Sequence, residues 1–212
     1  SITHPNQPAL ISASDESVRV TFEDIYAHSH SIVSFLRRSG FKKGDCALFF
    51  MYNSIHLPSL MLGSLSAGGR VTTACPMGDK RDLGRQIVDS GTTVLFIDEE
   101  HLETAMKALE LMKADRSDTV KLVVCIRNGN CSFPEEVVDF DEVIKETPDM
   151  NIEPAEPEDV AFLPYTSGTT ETWKGVMLTH NSLSLMVDIS YQMFTYEVYG
   201  CLTENPVDWH KV

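Results

Sequence analysis

Short apolar runs alternate along this chain with longer segments in which apolar residues recur at helical spacing. The runs have the length of buried strands, and the longer segments have the period of helices that pack one face against a sheet. Strands are predicted over 46–51, 71–73, 93–97 and 120–126, and helices over 22–38, 54–67, 83–88 and 102–112. Strands and helices in alternation are typical of a parallel sheet covered on both faces. The predicted fold class is α/β, with layered, largely parallel sheets flanked by helices.

The first elements also carry local signals. A polar loop separates the apolar runs 8–11 and 18–20, which predicts a hairpin. Thr21 is the expected N-cap of the first long helix, and Gly40 stands where a helix end favours a left-handed residue. Asn53 is the expected N-cap of the helix over 54–67.

The chain is less regular after the fourth strand. Four prolines and many carboxylates mark 128–157 as an irregular, solvated stretch, with one helical turn over 140–144. The acidic run 153–159 is interpreted as a charged linker face rather than a metal site. Two further strands are predicted over 160–163 and 176–178.

A last helix is predicted after these strands, capped by Thr179 or Asn181. Its apolar side is expected to lie in the core and consists of Leu183, Leu185, Met186, Ile189 and Met193. The tail over 196–212 has no clear period.

Composition excludes some classes of function. The 212 residues include 31 acidic and 17 basic side chains, a formal charge of −14. Broad nucleic-acid binding needs a basic footprint, so no nucleic-acid partner is expected. No apolar run approaches the roughly 20 residues of a transmembrane helix. The start has no signal-peptide pattern and no initiator methionine. We expect a soluble intracellular chain, cytoplasmic or peroxisomal, that is compatible with a fragment of a longer protein.

Cysteines and histidines do not predict a metal site. The five cysteines are odd in number and scattered, without a Cys-x-x-Cys pair. They are interpreted as buried thiols of a reducing compartment. His28 and His30 are expected on the surface of the first long helix. No metal ligand is therefore assigned.

Residues 165–180 concentrate hydroxyl groups and glycine around one lysine, in the order YTSGTTETWKGVMLTH. Backbone N–H groups, hydroxyl donors and an ammonium can together hold a polyanion such as phosphate. The segment is not a Walker A loop, which needs Ser or Thr after its lysine, because Gly175 follows Lys174. From composition alone, an ordinary turn between two strands is an equal alternative.

The order of these residues resembles the phosphate-binding signature of the adenylate-forming enzymes. This family includes acyl-CoA synthetases, 4-coumarate:CoA ligases, beetle luciferases and peptide-synthetase adenylation domains. Other stretches resemble successive landmarks of its N-terminal domain, namely 4–10, 40–45, 52–54, 67–76 and 89–91. The resemblance covers nearly the whole chain. It implies that 1–212 form part of an N-terminal AMP-binding domain, with the phosphate loop at 165–175 and without the C-terminal domain.

The resemblance also implies a two-step reaction. A small-molecule carboxylic acid attacks the α-phosphate of ATP, held with Mg²⁺, to give an acyl-adenylate and pyrophosphate, and coenzyme A then displaces AMP. Donors fixed around the departing pyrophosphate would stabilise its developing charge. By the resemblance, these donors are Thr166, Ser167, Gly168, Thr169, Thr170 and Lys174. Catalytic residues are not assigned.

The chain departs from the family pattern in two respects. The family reads Thr-Thr-Gly-x-Pro-Lys-Gly, whereas Glu171, Thr172 and Trp173 precede Lys174 here. The missing glycine removes a residue that readily takes positive φ, the missing proline leaves the loop less pre-set, and Glu171 adds a like charge beside a polyphosphate. In addition, the family's later blocks for adenine, magnesium, the acyl group and the catalytic lysine have no counterpart before Val212.

Two hypotheses follow, and they belong to different classes. The chain is the N-terminal part of an ATP-dependent acyl- or aryl-CoA ligase, inactive as the isolated 212 residues. Alternatively, it is a degenerate or truncated relative that acts as a weak nucleotide-binding or protein-interaction module. An unrelated nucleotide-binding α/β protein is a third reading.

Overall fold

The computed structural model describes residues 4–115, 119–129, 132–152, 154–166 and 173–193. Its strands are β1 (Pro8–Ile11), β2 (Arg19–Thr21), β3 (Cys46–Phe50), β4 (Arg70–Thr73), β5 (Thr92–Asp98), β6 (Leu122–Ile126), β7 (Val137–Asp139), β8 (Val160–Phe162), β9 (Tyr165–Thr166), β10 (Lys174–Gly175) and β11 (Leu178–Thr179). Its helices are α1 (Phe22–Arg38), α2 (Leu57–Ser66), α3 (Lys80–Ser90), α4 (Leu102–Ala114), α5 (Phe140–Val143) and α6 (His180–Gln192), and a 3₁₀ turn spans Glu99–His101.

The central feature is a seven-stranded sheet in the order β11-β8-β4-β3-β5-β6-β7. Neighbouring strands run parallel except β11, which is antiparallel to β8. Helices α2, α3 and α4 connect β3 to β4, β4 to β5 and β5 to β6, as is usual for crossovers between parallel strands. The predicted α/β class is confirmed.

Two hydrophobic cores lie on opposite faces of the sheet, and β3 contributes to both. Ala47 and Phe49 pack in the core that includes α1 and α2, whereas Leu48 and Phe50 pack in the core that includes α3 and α4. Alternate side chains of a strand point to opposite faces, so a strand buried on both sides reads as a continuous apolar run. The predicted central strand has this property throughout, since every residue of β3 is buried.

Local signals at the start of the chain are confirmed. β1 and β2 pair as an antiparallel hairpin. Thr21 caps α1 by accepting from the Asp24 N–H, while the Asp24 carboxylate accepts from the Thr21 N–H at 2.8 Å. This reciprocal arrangement satisfies two N–H groups that the helix leaves without partners. Gly40 follows α1 with a φ of +86°, which a glycine adopts without steric cost.

The start of α2 differs from the prediction. The helix begins at Leu57 rather than at 54, and the side chain of its N-cap residue His56 makes no capping hydrogen bond. The Ser54 hydroxyl accepts from the His56 N–H at 3.2 Å, and the Leu57 N–H bonds to the Ser54 carbonyl. A serine that satisfies nearby backbone in this way favours a turn over helix. Asn53 therefore does not cap α2.

His30 was expected on the surface but is buried. Its ring Nδ1 lies 2.8 Å from the Tyr26 carbonyl oxygen, and the stretch after α5 runs along this side of α1. The Asp149 N–H donates to the His30 carbonyl, and Arg37 forms an ion pair with the Asp149 carboxylate at 2.6 Å. The irregular stretch predicted over 128–157 thus covers part of α1 instead of being wholly solvated. It also contains β7 and the predicted helical turn, which is α5.

The prediction that the apolar side of the last helix lies in the core is wrong for this structure. Thr179 caps α6 as expected, but no residue of the helix is buried. Leu185 and Met186 are each 59% exposed. The pattern itself is helical, but no other described segment covers this face. Within the described ranges, no helix combines the length and apolarity that crossing a bilayer requires.

Candidate functional site

The predicted phosphate loop lies at the end of a two-stranded ribbon. β9 and β10 are antiparallel, with Thr166 opposite Lys174 and Tyr165 opposite Gly175. The two strands thus bring the first and the last of the six predicted donors together at the base of the loop. The other four, Ser167, Gly168, Thr169 and Thr170, lie outside the described residues. Glu171 also lies outside them.

The ribbon is connected to the sheet through β8, which precedes β9 in the chain. The Leu163 N–H bonds to the Val71 carbonyl at 2.8 Å, and the Thr72 hydroxyl donates to the Leu163 carbonyl at 2.6 Å. The buried Gln86 side chain of α3 donates to the Thr72 hydroxyl oxygen at 3.1 Å. These bonds fix the point where the chain leaves β8, because buried polar groups are costly to leave without partners.

A second attachment joins the ribbon itself to α3. The Tyr165 hydroxyl donates to the Asp89 carboxylate at 2.5 Å. Burial, together with this hydrogen bond, raises the pKa of Tyr165, so the phenol stays protonated and able to donate. On its other side the ring packs against Gly175, where a Cβ would lie 3.2 Å from Tyr165 Cζ.

A cavity of about 550 Å³ opens beside the ribbon, where β3 and β4 end. Its wall includes Phe49, Met51, Tyr52, Ala74, Pro76 and Trp173. No charged side chain lines it within the described part of the chain. Ligands of open α/β sheets bind at the carboxyl ends of the strands, and apolar walls suit the uncharged part of a ligand. The cavity therefore fits an apolar or aryl group, with the ribbon at its edge.

The ribbon carries a positive charge that can bind an anion. Lys174 is exposed, and no carboxylate of the described residues lies within ion-pair distance of its ammonium. An ammonium without a carboxylate partner, beside the Thr166 hydroxyl, offers a point charge and a donor to a phosphate. No cluster of three potential metal ligands occurs within the ranges that the structure describes.

A buried polar cluster at the same edge was not predicted from the sequence. Asp98 ends β5, and its carboxylate accepts from the Tyr52 N–H at 3.0 Å and from the His101 N–H at 3.1 Å. The His101 ring bonds to the same carboxylate through Nδ1, and its Nε2 lies 2.9 Å from the Pro76 carbonyl oxygen. The cluster joins three loops at the edge of the sheet that carries the cavity.

The cysteines show no sign of a reactive centre among the described residues. Cys46 and Cys125 are buried free thiols, as predicted, whereas Cys75 is exposed. Burial raises the pKa of Cys46, and burial together with the negative charges of Asp98 and other carboxylates raises the pKa of Cys125 to about 12. Neither buried thiol is activated as a nucleophile, because the thiolate is disfavoured.

Tyr165 and Asp89 were each visible in the sequence, but their contact was not. Both belong to stretches that resemble family landmarks, and 76 residues separate them. A local pattern cannot predict a contact of that separation, since it depends on how β8 joins the sheet.

Comparisons with known proteins identify the family of this chain. The family model described as AMP-binding enzyme matches residues 2–207. Acyl-CoA synthetase 7 of Caenorhabditis elegans is 29% identical over 90% of this chain and 34% of its own length. The 4-coumarate–CoA ligase-like 4 of rice (Oryza sativa subsp. japonica) is 31% identical over 92% of this chain and 35% of its own length. The chain therefore spans about a third of the length of these curated relatives.

Solved structures show the same fold. The anthranilate CoA ligase AuaEII, solved in complex with anthranoyl-AMP, matches with a TM-score of 0.77 and 20% identity, over 92% of this chain and 35% of the ligase chain. A benzoate CoA ligase from Burkholderia xenovorans LB400 matches with a TM-score of 0.71 and 21% identity, over 89% of this chain and 34% of the other.

Proposed function

Because this chain belongs to the AMP-binding enzyme family, we propose that it is the part of an acyl- or aryl-CoA ligase that receives the phosphates of ATP. The observation that carries the proposal is the pairing of Thr166 with Lys174 across the ribbon. This pairing brings a hydroxyl and an ammonium together, each one residue from a residue that lines the uncharged cavity, Tyr165 or Trp173. Residues 1–212 would then form part of the N-terminal domain, with the phosphate loop at 165–175.

The side chains of this protein would act by stabilising negative charge. When a carboxylate oxygen attacks the α-phosphorus, the bond to the pyrophosphate oxygen breaks and negative charge collects on the leaving group. Lys174 and Thr166, with the four loop residues between them, would stabilise that charge. The thiol of coenzyme A would then attack the acyl carbon and displace AMP. Mg²⁺ would shield the phosphates, but the described residues offer it no cluster of ligands.

The isolated 212 residues are proposed not to complete this reaction. They span about a third of the length of the curated relatives. The expected result is no carboxylate-dependent exchange of pyrophosphate into ATP. Measurable exchange with a fatty or aromatic acid would show instead that these residues suffice.

The test of phosphate binding is the unfolding temperature in the presence of MgATP. A ligand at 100 times its dissociation constant stabilises a folded site by about 2.7 kcal/mol. We expect MgATP to raise the midpoint of the wild type and Lys174→Ala to remove the shift. Lys113→Ala, at an exposed position near the end of α4, should leave the shift unchanged. A shift that survives Lys174→Ala, or no shift in the wild type, would contradict the proposal.

A second function is favoured by Trp173. Its side chain is 47% exposed at the edge of the cavity, where the family has proline before the lysine. An exposed aromatic ring and an uncovered apolar helix α6 suit a non-catalytic interaction module. The absence of any MgATP shift, together with binding to a protein partner that Trp173→Ala abolishes, would favour this function.

A further inference from the structure

We propose that Asp89 is a positioning residue that, through Tyr165, fixes the orientation of the ribbon and thus the position of Thr166 and Lys174. The consequence for ATP binding rests on the proposed function, whereas the effect on the ribbon itself does not. Asp89 lies in α3 and is not one of the predicted phosphate donors, and its carboxylate accepts from the Tyr165 hydroxyl of the ribbon.

The geometry holds the Tyr165 side chain from two sides. Its hydroxyl donates to Asp89 at 2.5 Å, and its ring lies against the Cα of Gly175 on the opposite strand of the ribbon. Since Tyr165 and Gly175 are a register pair, one residue from Thr166 and Lys174, rotation of the tyrosine would turn both strands. The phenol therefore links the ribbon to α3.

A second residue of α3, Gln86, also makes hydrogen bonds close to the ribbon, and comparing the two shows what Asp89 contributes separately. Gln86 and Asp89 are three residues apart, so they lie on one face of α3. Gln86 is buried and bonds to Thr72 and to the Thr73 carbonyl, which fixes the sheet end from which the ribbon departs. That attachment lies in the sheet and does not reach the ribbon. The contact of Tyr165 with Asp89 is the side-chain hydrogen bond that joins the ribbon to α3 among the described residues.

The contact of Tyr165 with Asp89 also matters because Tyr165 lies beside two cavities. Tyr165 and Trp173 both line the 550 Å³ cavity and a second cavity of about 700 Å³ between α3 and α4. They form the wall that separates the two spaces. If the ribbon turned, this wall would shift relative to the cavity at the ends of β3 and β4.

The bond is charge-assisted, because a phenol donates to a carboxylate. Asp89 remains exposed, so its loss should change the orientation of the ribbon more than the global stability. We expect Tyr165→Phe and Asp89→Ala to weaken MgATP binding roughly fivefold, which is the effect of losing one ordinary hydrogen bond at an exposed position. Asp89→Asn keeps an oxygen acceptor and should restore most of the affinity.

The experiment follows the ribbon directly. The chain has two tryptophans, so Trp209→Phe leaves Trp173 as the only tryptophan, whose emission can be excited selectively over that of the tyrosines. In this background, without nucleotide, Tyr165→Phe and Asp89→Ala should increase acrylamide quenching of Trp173 roughly twofold, since the wall next to it opens. Amide exchange at Val176, whose N–H bonds to the Pro164 carbonyl, should rise in parallel. The unfolding midpoint should stay close to that of the parent.

The matched control is Tyr191→Phe, which removes an exposed phenol from α6 and should change neither signal. Unchanged quenching and exchange in both Tyr165→Phe and Asp89→Ala would overturn the positioning role. Increased quenching in a chain that binds no MgATP would support the positioning role and contradict the proposed function. Normal MgATP binding in all variants, with unchanged quenching, would contradict the positioning role and support the proposed function.

Discussion

Asp98 and His101 form a buried pair in which both ring nitrogens of the histidine face an acceptor. Nδ1 bonds to the Asp98 carboxylate, and Nε2 lies 2.9 Å from the Pro76 carbonyl oxygen. The carboxylate also accepts from the Tyr52 N–H. The pair therefore ties together the loops that follow β3, β4 and β5, at the edge where a ligand of an open α/β sheet binds.

Removing this carboxylate should be costly. Asp98→Ala leaves the Tyr52 and His101 N–H groups and the buried imidazole without their acceptor, and the expected loss is about 3–5 kcal/mol. Urea unfolding would measure it. Asp188→Ala, at an exposed position on α6, should change the free energy of unfolding by less than about 0.5 kcal/mol. A loss at Asp98 as small as that of the control would contradict the assigned contacts.

Two helical glycines should respond oppositely to alanine. A Cβ at Gly63 of α2 would lie 2.7 Å from Ile32 Cβ and 2.8 Å from the Ser29 carbonyl oxygen of α1. Gly63→Ala should therefore destabilise by about 1–3 kcal/mol through overpacking. At Gly84 of α3 the nearest atom is Met112 Cγ at 3.8 Å, an ordinary contact. Gly84→Ala should stabilise by about 0.5–1 kcal/mol, because alanine loses less backbone entropy. Thermal unfolding of both variants tests the close approach of α1 and α2.

His56 should make stability depend on pH. Burial, and then the charge of His28, lowers the pKa of His56 below its ordinary value of 6.5. The unfolded chain then binds more protons than the folded chain as pH falls below 6.5, so the folded state loses stability there and keeps it above. His56→Gln should lower this loss between pH 7.5 and 5. Parallel stability curves for the variant and the wild type would show that His56 contributes packing alone.

Restoring the family sequence in the loop should strengthen ATP binding. Glu171→Gly together with Trp173→Pro removes a carboxylate beside the phosphates and pre-sets the backbone before Lys174. The thermal shift produced by MgATP should increase. Adding Lys174→Ala to the double variant should abolish the gain. No increase would show that the altered residues do not limit binding in this chain.

The features that the sequence predicted correctly are those that local geometry decides. Thr21 caps α1 because its hydroxyl oxygen accepts from the Asp24 N–H three residues on, and Gly40 follows α1 in the left-handed conformation at φ +86°. The apolar run of β3 predicted a strand buried on both faces. Such signals need no knowledge of distant segments.

The wrong predictions concern burial. Whether a helix is buried depends on whether a segment distant in sequence packs against it. His30 is buried because residues after α5 pack along α1, and α6 is exposed because no described segment lies over it. The site shows the same division. Thr166 and Lys174, predicted as phosphate donors, are paired across the ribbon, and their role stays a prediction. The contact of Tyr165 with Asp89 was not predicted, because it depends on β8 joining the sheet beside β4.

The bond from Thr72 to Leu163 spans 91 residues, and this separation sets an order of events during synthesis. β3, β4 and β5 follow one another closely, so they can pair soon after leaving the ribosome. β8 emerges much later and closes a long loop when it joins β4. Until then, β4 presents a row of unpaired backbone groups to other chains. The base of the phosphate loop is thus the last part of the parallel sheet to form, and the interval before it forms is when the nascent protein is most exposed to aggregation.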